Sequence, residues 1–232
     1  MLYNIINDRE EFKKFINILP EPTEFESYYI SLFARKKYNS IIPGDKAQLK
    51  RLNSDKKFLE SKVSQLECRL GAYTVLSNNT LIEVPQDALA LYISTNPRCY
   101  KKTAMRTVND LTEHAFNQTR FNPRSVLMNN MQVSYSRMCF KDFDIDIKVG
   151  DKKDFVYDKL NNKINLDCIK LIDTRGGFHL LVELSKIEPV YVKYWHGTIT
   201  TAFDKLIDQK GDLLCPVPGT TQGGYIPRLI TF

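Results

Sequence analysis

The chain has no CxxC pair and no cluster of cysteine with histidine. Its five cysteines, Cys68, Cys99, Cys139, Cys168 and Cys215, are scattered and odd in number. That argues against a structural zinc site and suits free thiols in a reducing compartment better than a disulfide framework. No apolar run approaches the roughly 18 residues that a membrane helix needs. The opening MLYNIINDREEF lacks the basic flank and apolar stretch of a secretion signal. The expectation is a cytoplasmic protein without a membrane partner. Internal repeats, low-complexity tracts and long Gly/Ser linkers are also missing, which favours one compact unit. With 232 residues, 43% of them hydrophobic and 26% charged, the chain suffices for one domain or for two modules sharing a core.

What is present is a basic excess. The net charge is +6, and basic residues cluster in ARKKY at 34–38, KAQLKR at 46–51 and RCYKK at 98–102. Such clusters, interleaved with tyrosine, suit a polyanionic partner, although a balance of this size is also compatible with an ordinary solvated surface.

Hydrophobic spacing predicts the following elements. A helix over 8–18 is capped by Asp8, with Glu11 three residues on and Pro20 beyond its end. Strands are expected at 27–34 and 88–95. Leu59, Val63, Leu66 and Leu70 mark one stripe of a helix over 54–70, ended by Gly71. A helix over 101–117 would turn Ala104, Val108, Leu111 and Ala115 inward, and Pro123 opens another through about 135. A strand at 138–148 and a short helix near 153–160 follow. Two strands within 168–184 turn at Arg175-Gly176-Gly177, and a last helix covers 196–207. The fold class is therefore α+β, with a helix-rich module over about 1–135 and an antiparallel sheet over about 136–232.

The stretch FKDFDIDIK at 140–148 stands out. On a strand, Asp142, Asp144 and Asp146 share one face, and Phe143, Ile145 and Ile147 the other. Three carboxylates so placed repel one another, and aspartate is disfavoured in strands. A divalent cation would compensate. The plainer alternative is an exposed edge strand whose charges face water. Further on, His179, Leu181 and Glu183 share the less apolar face of a strand, just after the glycine turn. Alone His179 reads as a core histidine; beside Arg-Gly-Gly it reads as a phosphate contact. Leu206-Ile207-Asp208 sets one more acid behind two apolar residues, at an expected helix-to-loop junction.

In order and spacing these parts resemble the archaeo-eukaryotic primase superfamily, in the small prim-pol branch of phages and plasmids. The family's first motif, apolar residues then Asp-x-Asp/Glu, is matched by Phe143-Asp144-Ile145-Asp146. Its small-x-His motif is matched by Gly177-Phe178-His179, and its apolar-apolar-acid motif by Leu206-Ile207-Asp208. QKGDLLCPVPGT at 209–220 is similar to the stretch that often follows that acid. The resemblance covers 139–220. Two departures stand beside it: Asp142 makes a triple of the usual pair, and Asp212 competes with Asp208 for the third position.

The resemblance implies an RRM-like antiparallel catalytic sheet packed against a helix-rich N-terminal α/β module, with the active site between them. It implies a DNA primase or primase-polymerase that joins nucleoside triphosphates on a single-stranded DNA template, in the replication of a mobile element and beside a separate helicase. Asp144, Asp146 and Asp208 would hold two ions of Mg²⁺ or Mn²⁺. His179, Arg175 and Thr174 would meet the triphosphate. Arg35-Lys36-Lys37, Arg98 and Lys101-Lys102 are template candidates. Two-metal catalysis needs such carboxylates, because charge builds on both the attacking and the leaving oxygen of the displacement. The competing readings are a metal-dependent nuclease using Asp146-Ile147-Lys148, a glycosyltransferase with an Asp-x-Asp motif, and a non-catalytic nucleic-acid-binding module.

Overall fold

Asp8 opens the first helix as its spacing predicts. Its carboxylate accepts the backbone N–H of Glu11, and α1 (Arg9–Ile18) buries Phe12 and Phe15. Glu11 does not close the capping box; it takes the backbone N–H of Leu229, near the other end of the chain. The computed structural model describes every residue except Leu213, and only the backbone of Gln209 and Lys210.

β1 (Glu26–Arg35) is buried along nearly its whole length, as a mostly apolar central strand should be, and it takes Ser27 and Ser31 into the interior with it. β2 (Lys46–Ser54) comes from the segment that first reads as a basic cluster. Its residues alternate, with Lys46, Gln48 and Lys50 exposed and Ala47 and Leu49 turned inward. The helix expected over 54–70 shrinks to α2 (Leu59–Ser64) behind one turn of 3₁₀ helix. Leu59, Val63 and Leu66 are buried as expected, but Leu70 is exposed. The chain leaves helical geometry after Leu66, whose carbonyl accepts the Tyr73 hydroxyl at 2.7 Å, and the Cys68 carbonyl accepts the N–H of Tyr3 at 2.8 Å. A small hairpin, β3 (Thr74–Ser77) and β4 (Thr80–Glu83), follows. It turns on Asn78 and Asn79, both at positive φ, a conformation that asparagine tolerates.

β5 (Leu89–Ser94), α3 (Tyr100–Phe116) and α4 (Pro123–Val133) lie where the spacing puts strand and helices, and a short β6 (Arg98–Cys99), which the spacing did not indicate, pairs with β1. The face of α3 is different. Thr103 and Thr107 are its buried residues, while Ala104, Val108 and Ala115 are exposed. Polar contacts set the rotation: Asn130 on α4 reaches both Thr107 and Asp110.

The second half supplies β7 (Phe140–Ile145), α5 (Lys152–Leu160), β8 (Ile169–Asp173), β9 (Phe178–Glu183), α6 (Trp195–Ala202), β10 (Ile207–Gly211), β11 (Leu214–Pro216) and β12 (Arg228–Thr231). The helix expected over 196–207 ends at Ala202, so Asp208 sits on a strand and not at a helix end. Two five-stranded sheets result. One runs β11-β5-β1-β2 with β6 beside β1; the other runs β10-β7-β9-β8-β12, antiparallel throughout. The chain therefore crosses from the second module back to the first at β11, beyond the division expected near 135.

One face of the second sheet packs Phe143, Ile145, Phe178, Leu180 and Val182 against Val156, Leu160, Ile199 and Phe203 of the α5–α6 region. From its other face Phe140, Ile172 and Leu181 join the core of the first sheet. The two modules thus share a core, and where the shared face turns polar a cleft begins.

Gly177 fixes the geometry there. A Cβ at this position would fall 2.1 Å from the carbonyl oxygen of Ile145 and 3.0 Å from the N–H nitrogen of Ile147. The small residue two places before His179 is thus required by the approach of β9 to β7. Gly177→Ala is expected to lower Tm by about 5–10 °C, the effect of overpacking a buried contact in a domain of this size. Thermal melts of the two proteins check it.

Candidate active site

β7 is an interior strand, flanked by β10 and β9, so the aspartates do not decorate a free edge. The three part company along it. Asp142 is fully buried, Asp144 half-buried, and Asp146, just past the strand end, is exposed. The backbone N–H of Asp146 still donates to Leu206 at 3.1 Å, which holds it beside β10. The register of β10 on β7 slips between Ile207 and Gln209, so Asp208 lies at a bulge next to Asp144. Bulges commonly re-aim a side chain in this way.

Asp144, Asp146 and Asp208 line a cleft of about 800 Å³ between the two sheets, together with Thr174, Gly176, Gly177 and His179 of the β8–β9 hairpin. Five of the six residues singled out in the sequence thus share one cavity: Asp144, Asp146, Asp208, His179 and Thr174. Arg175 does not line it. Its guanidinium donates to the Gly223 carbonyl at 2.7 Å and stacks over the Tyr38 ring, and its backbone N–H bonds Gln222.

The facing wall comes from the first sheet. Arg35, Lys37, Lys46 and Tyr92 lie on it, and Arg35 donates to the Tyr92 hydroxyl at 2.9 Å. The Lys37 ammonium is held below its ordinary pKa by partial burial and by Arg35, against the pull of Asp144 and Asp146. The Asp144 carboxyl is pushed above the usual carboxylate range. Burial is the main cause, and the charges of Asp142 and Asp208 add to it against His179 and Lys37. Clustered carboxylates of this kind, opposite lysine and arginine, form a donor set suited to hard divalent cations.

Beneath the cleft lies a buried group that the sequence did not announce. His179 Nδ1 is 3.1 Å from both oxygens of Asp142. The Cys215 thiol, on β11 of the other sheet, donates to Asp142 Oδ2 at 2.8 Å and lies 3.6 Å from the same ring nitrogen. His179 Nε2 is 3.7 Å from Asp144 Oδ1. The ligand atoms of Asp142, His179 and Cys215 lie within 4.8 Å of one another, close enough to share a cation. Burial, followed by the charges of Asp142 and Asp144, holds the Cys215 thiol well above its ordinary pKa, so it stays a protonated donor. Burial alone would lower His179, but the charge and hydrogen bond of Asp142, with Asp144 behind them, raise it.

Asp212, the rival of Asp208, also lines the cleft, as does Arg98, but its carboxylate is taken up by neighbours. It accepts Asn96 Nδ2 at 2.8 Å and pairs with Arg98, whose side chain is 1% exposed. Arg98, a template candidate in the sequence, is thus a buried ion-pair partner. Lys102 caps backbone carbonyls of Tyr135 and Ser136, and Lys101 lies over the Phe25 ring.

No known protein family, curated protein or solved structure matches this chain. Among the described residues no helix is long and apolar enough to cross a membrane.

Proposed function

We propose that this chain is a template-directed nucleotidyltransferase, a DNA primase or primase-polymerase of the archaeo-eukaryotic type. One observation carries the reading: Asp144, Asp208 and His179, from three different strands, and Asp146, just past the end of β7, meet in one cleft opposite a basic wall. Connectivity adds support. From β7 to β10 the chain runs strand-helix-strand-strand-helix-strand, with spatial order β10-β7-β9-β8 and core contacts to the α5–α6 region on the face away from the cleft. That order supports reading this sheet as RRM-like.

Asp144, Asp146 and Asp208 would hold two ions of Mg²⁺ or Mn²⁺. Bound there, the ions supply charge stabilisation to the attacking and leaving oxygens of an in-line displacement. The chain does the rest by placement. His179 Nε2 and the Thr174 hydroxyl address the triphosphate, and the bare backbone at Gly176 and Gly177 lets phosphate oxygens approach the hairpin. Arg35 and Lys37 offset the charge of the tail from the opposite wall. The single-stranded DNA template would run along the cleft, whose lining includes Phe33, Tyr135 and Lys141, since aromatic stacking tolerates any base. The nuclease reading has less support, because Lys148 does not line the cleft. A binding-only module is disfavoured by the acids on the cleft face, which repel phosphates unless cations intervene.

The test is incorporation of labelled nucleotide on a primed single-stranded template in Mg²⁺ and in Mn²⁺. Metal-dependent extension supports the proposal; loss of the labelled strand in metal without nucleotides supports a nuclease instead. Within that assay Lys37→Ala is expected to raise KM for the nucleotide by about tenfold, the scale of one hydrogen bond to a charged group. Lys36→Ala, at an exposed position outside the cleft, is expected to leave it unchanged. Steady-state kinetics of both variants decide it.

A further inference from the structure

Asp142 is a buried carboxylate outside the cleft, and it cannot be explained as a third ligand facing the substrate. A carboxylate with 0% exposure needs hydrogen-bond donors around it, and the two nearest side-chain donors are unusual. One is His179 Nδ1, 3.1 Å from each oxygen. The other is a thiol, a weak donor, delivered by Cys215 from the opposite sheet, where β11 pairs with β5.

We propose that Asp142 and Cys215 are positioning residues for His179, and that together they determine which ring nitrogen meets the nucleotide. This rests on the nucleotidyltransferase reading for its consequence, though not for its geometry. With both oxygens at equal distance from Nδ1, the ring hydrogen on that atom is engaged and the ring plane is set. Nε2 is then the nitrogen left to address the cleft, beside Asp144. Cys215 holds Oδ2, so the carboxylate cannot rotate away from the ring. Because Cys215 belongs to the first sheet and His179 to the second, the clamp forms only when the modules are docked. The histidine is therefore aimed by the same contact that shapes the cleft. Outer partners of this kind fix the tautomer and orientation of functional histidines elsewhere in proteins.

The chain has three histidines, so the ring nitrogens can be followed by ¹⁵N NMR, with His114→Gln and His196→Gln variants assigning the signals. At alkaline pH, where the ring is neutral, His179 of the wild type is expected as a single tautomer protonated at Nδ1. Cys215→Ala is expected to shift or broaden that signal and Cys215→Ser, which keeps a donor, to restore it. In extension assays Cys215→Ala should raise KM for the nucleoside triphosphate about three- to tenfold with kcat little changed, the scale of one weak hydrogen bond. Asp142→Asn should cost about 10–100-fold in kcat/KM. If Asp142→Asn does not fold, the Cys215 pair still decides the matter.

A His179 signal and a KM that stay at wild-type values in Cys215→Ala would overturn the proposal. So would one zinc per chain in the purified protein, lost in Cys215→Ala, since the three side chains would then be metal ligands. A wild type that incorporates no nucleotide would defeat the nucleotidyltransferase reading alone. The NMR comparison would still decide the positioning role.

Discussion

Asp144→Ala and Asp146→Ala are each expected to reduce nucleotide joining by about a thousandfold or more, the scale of removing a group that stabilises transition-state charge. Stability should move the other way or not at all. Asp144 is half-buried, and Asp142 and Asp208 raise its carboxyl above the usual range. Without cations that crowding works against the folded state, and removing one charge relieves it. Melts in EDTA should therefore show Tm unchanged or raised for both variants, while turnover collapses. Opposite signs on activity and stability are what a site held together for function produces. A parallel loss of both would mean that these carboxylates serve the fold.

The second large effect separates Asp208 from Asp212, two acids that the sequence leaves in competition. Asp212→Ala would strand the Arg98 guanidinium, buried at 1% exposure, without its carboxylate. Breaking a buried pair from one side costs about 3–5 kcal/mol, or about 6–20 °C of Tm in a chain of this length. Asp208→Ala removes an exposed carboxylate at a bulge, so it should leave Tm within a few degrees and abolish turnover. Thermal melts beside extension assays on the two variants check both halves. The reverse pattern would exchange their assignments.

The sequence made legible whatever depends on short-range pattern. The alternation in Phe143-Asp144-Ile145-Asp146 predicts the two faces of β7, and the apolar runs of β1 and β5 read as buried strands. The glycines after Arg175 mark the hairpin that carries His179. β2 was obscured because its lysines spell a charge cluster before they spell an alternation. The stripe from Leu59 to Leu70 is real to Leu66, but contacts to Tyr73 and Tyr3 divert the chain there, and no local spacing announces them. On α3 the apolar stripe pointed to the wrong face, since Thr103, Thr107 and Asp110 meet α4 through polar contacts.

The candidate site divides in the same way. The motifs gave Asp144, Asp146, Asp208, Thr174 and His179 as cleft residues. They did not show Asp142 turning beneath His179, because that depends on Cys215, 36 positions from the histidine and on the other sheet. The engagement of Asp212 by Arg98, 114 positions away, is equally a property of the docked sheets. Arg175 carries the residue type that a phosphate would ask for, yet Gly223 and Tyr38 take up its guanidinium.

The central claim is that the cleft joins nucleotides under the direction of a template. The most direct measurement offers each nucleotide singly to the wild-type protein on primed homopolymer templates, with Mg²⁺ or Mn²⁺ present. Adenine nucleotide should be added on oligo(dT), guanine nucleotide on oligo(dC), and neither on the other template. Addition that ignores the template, or a primer shortened where it should grow, would contradict that claim.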